Sequence, residues 1–236
     1  MEQCTAIVLA AGAGKRMQSA VAKQYMLLDG KPIIWYALNA FEKSEHIQQV
    51  ILVVGAGEIP FCREEIIERF GFTKVKEIVE GGAERYLSVW EGLKCLKPEE
   101  GNFVFVHDGA RPFVTEAIIR DAYEAVREYG ACVVGMPVKD TIKVVDEEDF
   151  AVQTPNRKTL WAVQTPQVFE ELLIYKSYEE VVQNLEELKA KGIEITDDAM
   201  VVETVSNRKV KLIKGSYENI KITTPEDILV AQSFLK

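Results

Sequence analysis

Residues 6–17 read Ala-Ile-Val-Leu-Ala-Ala-Gly-Ala-Gly-Lys-Arg-Met, and Lys23 follows closely. The apolar run reads as a buried strand that ends in small residues and two glycines, then in Lys15 and Arg16. Glycine lets a backbone turn sharply and bring its N–H groups up to an anion, and neighbouring cations neutralise phosphate charge. A strand feeding such a loop is how α/β proteins hold nucleotide phosphates. The spacing narrows the kind of loop. Gly12 and Gly14 match the first two glycines of the dinucleotide fingerprint, but Met17 stands in place of the third. The acid expected at the end of the second strand is also missing: residues 50–54 lead into Gly55-Ala56-Gly57, and the nearest acid is Glu58. A Walker loop needs glycine where Leu9 stands and Ser or Thr where Arg16 stands. This is a phosphate loop of another kind, or, in the plainer reading, a glycine-rich turn with surface cations.

Two further clusters follow strands. His107-Asp108-Gly109-Ala110-Arg111-Pro112 comes after an apolar run at 103–106. Ligands of open α/β sheets bind at the carboxyl ends of the strands, which brings Asp108 to the glycine loop. A carboxylate there can take Mg²⁺ or a ligand hydroxyl, and Arg111 can clamp a phosphate; the competing reading is an Asp–Arg pair that satisfies itself in a turn. His107 reads as a core-edge histidine. In Glu80-Gly81-Gly82-Ala83-Glu84-Arg85, the glycines can admit a flat base and Ser88 can bond its edge, or the segment is an ordinary helix start. Asp140-Thr141, Arg157, Thr165-Pro166-Gln167, Thr196-Asp197-Asp198 and Asn219-Ile220-Lys221, taken singly, read as turns or caps.

The elements that must position these residues alternate. Strands are expected at 7–9, 50–54, 75–79, 103–106 and 131–136. Helices are expected at 32–41, 61–70, 84–96 (with Leu87, Trp90, Leu93 and Leu96 as the apolar stripe) and from the Thr115 cap to about residue 129. That is the pattern of βαβ units around a mostly parallel sheet covered on both faces. Between 137 and 161 the pattern breaks. Residues 141–145 and 150–154 read as two strands around Asp146-Glu147-Glu148-Asp149, an acidic tip that cannot be buried. A hairpin without helix cover is marginal alone, so it should lie on something, most simply a second subunit. Helices are expected again across 168–191 and after a Thr196 cap, late strands at 210–213 and 220–223, and a last helix at Thr224-Pro225-Glu226-Asp227.

Composition bounds the rest. At 236 residues, 47% of them hydrophobic, one large domain with a normal core is expected. The net charge of −9 argues against nucleic-acid or anionic-membrane partners but not against a small anionic substrate bound by a local group of cations. Cys4, Cys62, Cys95 and Cys132 are scattered and read as reduced thiols of a cytoplasmic protein. Two histidines build no zinc site and no Ser-His-Asp triad. No signal peptide and no membrane span is expected.

Taken in order, these segments resemble one family along nearly the whole chain: Ala-Ala-Gly-x-Gly-x-Arg-Met, Ala22-Lys23-Gln24-Tyr25, Gly-Gly-x-x-Arg-x-x-Ser-Val, His-Asp-x-Ala-Arg-Pro, Pro-Val-x-Asp-Thr, Leu-Trp-x-x-Gln-Thr-Pro-Gln, Ile-Thr-Asp-Asp-Ala and Asn-Ile-Lys-Ile-Thr-x-Pro-Glu-Asp. The chain is similar to the 2-C-methyl-D-erythritol 4-phosphate cytidylyltransferases of the non-mevalonate isoprenoid pathway. The resemblance implies a Rossmann-like nucleotidyltransferase fold, a single domain over 1–236 with an arm at about 137–161. It also implies CTP as co-substrate, a divalent cation (normally Mg²⁺) held mainly by the CTP phosphates, and a homodimer in which the arm reaches the neighbouring site. By the same resemblance, Ala10, Ala11, Gly12, Arg16 and Lys23 hold the triphosphate, with Arg16 and Lys23 stabilising the transition state. Gly82 and Ser88 read cytosine and ribose. Asp108 is assigned to CTP and, with Arg111, Thr141, Arg157 and Lys221, to the second substrate, some of them from the partner chain. The chain departs from many members at Ala83, where they carry an acid. The alternatives are a ribitol 5-phosphate cytidylyltransferase, a non-enzymatic nucleotide-binding module and an NAD(P)-dependent oxidoreductase. Leu160-Trp161 after Arg157 disfavours the first, retention of Lys23 and Arg16 the second, and Met17 the third.

Overall fold

The computed structural model describes residues 2–12, 22–99 and 101–235. The chain opens with β1 (Cys4–Ala10). After a 3₁₀ turn at Lys23–Tyr25 come a short ribbon of β2 (Leu27–Leu28) and β3 (Lys31–Pro32), then α1 (Ile33–Lys43), β4 (Gln49–Val54) and α2 (Ile59–Phe61), which runs on as a π-helical stretch over Cys62–Glu68. Next are β5 (Val75–Glu80), α3 (Arg85–Leu93), β6 (Phe103–Asp108), α4 (Glu116–Tyr129) and β7 (Ala131–Pro137). An arm holds β8 (Val144–Val145), β9 (Ala151–Gln153) and a 3₁₀ turn at Arg157–Thr159. The chain closes with β10 (Trp161–Glu170), α5 (Glu171–Gln183), α6 (Leu185–Ala190), α7 (Asp198–Ser206), β11 (Lys211–Lys214) and α8 (Pro225–Phe234).

Seven strands form one sheet in the order β11-β7-β10-β6-β1-β4-β5. β1 pairs in parallel with β4 and β6, β4 with β5, and β11 with β7; β10 is antiparallel to both β6 and β7. The inner strands are apolar without alternation because both faces are covered. Along β1, Cys4, Ala6, Val8 and Ala10 face one core with Ile34, Phe41, Ile119 and Val126, while Ile7 faces the other with Val89, Leu93, Tyr178 and Val202. A third, smaller cluster joins β2 to α8 through Leu28, Ile33, Ile222 and Ala231. The four cysteines are free thiols, and burial pushes Cys4 and Cys132 up to about 12. Among the described residues no helix is long and apolar enough to cross a membrane.

The doubly covered sheet, the hairpin and the caps expected at Thr115 and Thr224 all occur. The Thr115 hydroxyl accepts the Ile118 N–H, and Thr224 forms a capping box with Asp227. Five expectations need correction. Residues 161–170 are a strand, where a helix was expected from 168. Gln164, Thr165 and Gln167 give this stretch a loop-like polarity, yet all three are buried with hydrogen-bond partners. The helix after Thr196 is capped instead by Asp197, whose carboxylate accepts the Met200 N–H. Residues 220–223 are irregular: Lys221 leaves for the site described below, while Ile222 is buried in the third cluster and Ile220 packs against it. The arm's strands are shorter than expected, and the acidic tip is folded by Asp146, whose Oδ1 accepts the Glu148 and Phe150 N–H groups.

The fifth correction concerns α3. Its inward face is Ser88, Val89, Gly92 and Leu93, with Trp90 and Leu96 at the flank. A Cβ on Gly92 would lie 2.7 Å from Ile7 Cγ2 and 3.2 Å from Val53 Cγ2, so the missing side chain sets how closely the helix lies on β1 and β4. Gly92→Val is therefore expected to destabilise the protein by about 1–3 kcal/mol through overpacking, read from urea unfolding. A neutral or stabilising effect would put Gly92 on the outer face and restore the stripe expected from sequence.

Candidate active site

The parallel strands β1, β5 and β6 deliver their carboxyl ends to one edge of the sheet, as open α/β sheets do. β1 ends at Ala10 and hands over to Ala11 and Gly12; β5 leads into Gly81-Gly82 and the start of α3; β6 ends at His107-Asp108. Two clefts open there. One, of about 250 Å³, is lined by Ala10, Ala11, Gly12, Lys23, Gly82, Ser88 and others; the second, of about 300 Å³, by Arg111, Gln164, Thr165, Thr196 and Asp197. Arg85, Asp108 and Lys221 line both and so form the wall between them. The protein is acidic overall, but each cleft has an excess of cations: Lys23, Arg85 and Lys221 against Glu84 and Asp108 in the first, Arg85, Arg111 and Lys221 against Asp108 and Asp197 in the second.

Asp108 organises this wall. Its Oδ1 lies 3.1 Å from Arg85 Nε, and its Oδ2 lies 2.9 Å from Lys221 Nζ and 3.7 Å from Arg111 Nε. Burial alone would raise the Asp108 carboxyl; the charges of Arg85, Lys221 and Arg111 outweigh it and hold the group well below the usual carboxylate range. Arg111 is fastened further by its Nη1, which donates to the Asn219 carbonyl at 2.9 Å. Arg85 is gripped from behind, its Nη1 and Nη2 donating to the two oxygens of Asp198 at 2.9 and 2.8 Å. Asp198 is fully buried and also accepts the Tyr178 hydroxyl. Burial opposes the Arg85 charge, but Asp198 and Asp108 raise its pKa well above the ordinary value.

The glycine pair brings the other side of the first cleft together. A Cβ on Gly81 would lie 2.5 Å from Ala11 Cβ and 2.6 Å from Ser88 Oγ, so the two loops touch only because Gly81 has no side chain. Ser88 is buried and its hydroxyl donates within its own turn, to the Glu84 carbonyl at 3.1 Å, with the Gly82 carbonyl at 3.3 Å.

Of the residues singled out from sequence, Ala10, Ala11, Gly12, Lys23, Gly82, Ser88, Asp108 and Lys221 meet in the first cleft, and Arg111 in the second. Arg16 lies outside the described residues. Thr141 and Arg157 are exposed on the arm and line neither cleft of their own chain; Arg157 Nη1 donates to the Lys139 carbonyl. The sequence reading holds Arg85 and Asp198 within quoted segments but gives neither a site role, and it does not reach Tyr178. The available signal is Asp198 itself, a carboxylate one residue before the apolar Ala199-Met200-Val201-Val202, which needs a buried cation. Among the described residues no group of three His, Cys, Asp or Glu side chains could hold a metal ion.

His107 is fully used as a structural group. Its Nε2 lies 3.1 Å from the Arg111 carbonyl, which can only accept, so that nitrogen carries the proton. Nδ1 then accepts from the Thr165 hydroxyl at 3.0 Å, and the same hydroxyl accepts the Asp108 N–H at 3.1 Å. Burial pushes the imidazole down to about 4. Because the folded pKa lies below that of the unfolded chain, near 6.5, this neutral histidine stabilises the fold fully above about pH 6.5 and less as pH falls towards 4. Denaturant unfolding at pH 7 and 4.5 should show the wild type losing about 2–3 kcal/mol more than His107→Gln over that interval. Equal losses would mean that His107 does not titrate in this window.

The family model described as IspD: 2-C-methyl-D-erythritol 4-phosphate cytidylyltransferase matches residues 4–236. The chain is 50% identical over 232 residues to the 2-C-methyl-D-erythritol 4-phosphate cytidylyltransferase of Lachnospira eligens, covering 98% of this chain and 99% of that one. It is 46% identical over 236 residues to the protein of the same name from Lachnoclostridium phytofermentans, covering 100% and 97%. Among solved structures, the 4-diphosphocytidyl-2C-methyl-D-erythritol synthase of Anaerococcus prevotii superposes with a TM-score of 0.83 at 34% identity, over 99% of this chain and 96% of that chain. The Francisella tularensis 2-C-methyl-D-erythritol 4-phosphate cytidylyltransferase superposes at 0.81 with 28% identity, over 98% and 99%. These relatives share the fold along its whole length and disfavour the ribitol phosphate alternative. With its sheet, its paired clefts and its motifs all accounted for, the chain belongs to the family of 2-C-methyl-D-erythritol 4-phosphate cytidylyltransferases.

Proposed function

We propose that the chain joins CTP and 2-C-methyl-D-erythritol 4-phosphate to give 4-diphosphocytidyl-2-C-methyl-D-erythritol and pyrophosphate, and that its two clefts hold the two substrates. One observation carries the assignment of sites: Arg85, Asp108 and Lys221 line both clefts, so a nucleotide in one and a polyol phosphate in the other would meet across a shared cationic wall. Ala10, Ala11, Gly12 and Lys23, with Arg16, would hold the triphosphate. Gly82 and Ser88 would bound the cytosine and ribose, and Asp108 would lie against both substrates. Arg111 and Lys221 would hold the phosphate of the second substrate.

The chemistry then follows from charge. An oxygen of the polyol phosphate attacks the α-phosphorus of CTP in line; the new P–O bond forms as the bond to the β-phosphate bridging oxygen breaks, and pyrophosphate carries off the electron pair. The phosphate dianion is already a nucleophile. No general base is needed, and the buried, doubly bonded His107 could not serve as one. The barrier is the approach of two polyanions. Lys23 and Arg16 would offset that repulsion and the charge that builds on the pentacoordinate phosphorus. The donor set fits a Mg²⁺ carried on the triphosphate, because both oxygens of Asp108, the most buried carboxylate of the first cleft, already face cations; such an ion would neutralise further phosphate charge.

The arm supports a dimer. Val144, Val145, Phe150 and Val152 are 42%, 49%, 67% and 61% exposed, an apolar surface that a second chain would cover. In a pair of chains, each arm would bring Thr141 and Arg157 to the other's second cleft.

Lys23→Ala is expected to lower kcat by on the order of 100-fold or more with little change in thermal stability, in an assay of pyrophosphate release with both substrates. Near-normal turnover would remove the role given to Lys23. Arg157→Ala tests the arm. Mixing it with Lys23→Ala and allowing subunit exchange should restore activity absent from either protein alone, because one site of each mixed dimer then has both residues intact. No recovery on mixing would mean that Arg157 serves its own chain.

A further inference from the structure

The turn that carries Lys23 is fastened to the ends of two neighbouring strands by side chains given no role in the chemistry above, although Gln24 also lines the first cleft. Gln24 is 2% exposed, and its side-chain amide donates to the carbonyl of Ala10, the last residue of β1. The next residue, Tyr25, turns its phenol into the interior. The hydroxyl donates to Glu58 Oε2 at 2.8 Å and lies 3.0 Å from Cys62 Sγ, and the ring meets Phe61 edge-on at 5.0 Å. Glu58 Oε2 also accepts the N–H of Gly55, the residue that follows β4, at 2.9 Å. The turn closes on itself through Tyr25 N–H to the Ala22 carbonyl at 2.9 Å and Met26 N–H to the Lys23 carbonyl at 3.2 Å. A single 3₁₀ turn has little rigidity of its own; here it is tied to β1 by one residue and to β4 by the next.

We propose that Gln24 and the Tyr25–Glu58 pair are positioning residues for Lys23: they fix the backbone from which the lysine stem leaves, and so set the reach of its ammonium across the segment 10–12. Packing alone does not call for these groups. Leucine would fill the Gln24 space and phenylalanine the Tyr25 space without the cost of burying an amide and a hydroxyl. The polar groups add direction. The Gln24 amide selects the carbonyl of the same Ala10 that lines the first cleft, and the Tyr25 hydroxyl selects the carboxylate that closes the end of β4. Burial raises the Tyr25 phenol far above its ordinary pKa, so it remains a donor at every working pH. Lysine is a point charge on a flexible stem, and what can be fixed in advance is where that stem starts.

The inference rests on Lys23 acting on the triphosphate, and a double-mutant cycle separates the two claims. Gln24→Ala, Gln24→Glu and Tyr25→Phe are assayed with CTP and 2-C-methyl-D-erythritol 4-phosphate, each alone and combined with Lys23→Ala, well below the melting temperature of each protein. A displaced lysine predicts kcat lowered about 10- to 100-fold in Gln24→Ala, with the KM for CTP changed less than about threefold. Tyr25→Phe, which removes only an oxygen, is expected to fall the same way by a smaller factor. Gln24→Glu keeps the shape but presents an acceptor to a carbonyl, so its kcat relative to wild type at the same pH should rise as pH falls and the acid protonates, which ties the loss to the donor to Ala10. In the Lys23→Ala background the same changes should alter kcat by less than about twofold, because the group they position is gone. Wild-type kcat in Gln24→Ala and Tyr25→Phe, or losses that multiply in full with that of Lys23→Ala, would overturn the inference. Wild-type kcat in Lys23→Ala itself would instead overturn the role of the lysine.

Discussion

The ion cluster at Asp108 is the constraint on which the rest of the site depends. Arg85, Lys221 and Arg111 lie within 3.1, 2.9 and 3.7 Å of its carboxylate. At an effective dielectric near 20, a unit pair at 4 Å is worth about 4 kcal/mol. Without the carboxylate the three cations would repel one another by comparable amounts, and a buried charge left without its partner costs about 3–5 kcal/mol. Asp108 is thus less a source of net stability than the reason that three cations can share the end of β6. The sheet supplies the rest: the parallel β1, β5 and β6 end on one edge, and the ends of β1 and β6 lie side by side, Leu9 opposite Asp108.

Around that cluster both arginines are held by a second contact. Asp198 grips Arg85 and is itself fixed by Tyr178. The Asn219 carbonyl holds Arg111, and Asn219 is in turn tied to Thr165 through its amide, which donates to the Thr165 carbonyl. Thr165 also joins His107 to the Asp108 backbone. These polar groups are buried, and burying them is costly unless their partners are in place. The consequence is a rigid receptor that meets incoming phosphates with its charges already oriented, the condition under which electrostatic stabilisation is largest.

Much of this was legible in the sequence, for identifiable reasons. The apolar runs of β1, β4 and β6 are continuous, which marks strands covered on both faces, and the small residues after β1 and the His-Asp-x-Ala-Arg-Pro segment marked two of the strand ends where the clefts open. β10 was not legible: its Gln-Thr-Pro-Gln polarity is that of a loop, and only the tertiary partners of Gln164, Thr165 and Gln167 make it a buried strand. The inward face of α3 was misjudged because helical periodicity counts large side chains, whereas the closest approach to the sheet is made by Gly92, which has none. Arg85 and Asp198 are 113 residues apart, and no local pattern links a pair at that separation. The roles expected of Thr141 and Arg157 cannot be read within one chain, since the arm carries both away from their own clefts.

The most direct measurement is a crystal structure of the protein soaked with CTP, Mg²⁺ and a non-reactive analogue of the polyol phosphate. The expected density places the α-phosphate between the segment 10–12 and the Lys23 ammonium, the cytosine against Gly82, and the second phosphate across the Asp108 wall on Arg111 and Lys221. CTP bound away from this edge of the sheet, or both phosphates crowded into one cleft with the other filled only by solvent, would contradict the division of the site described here.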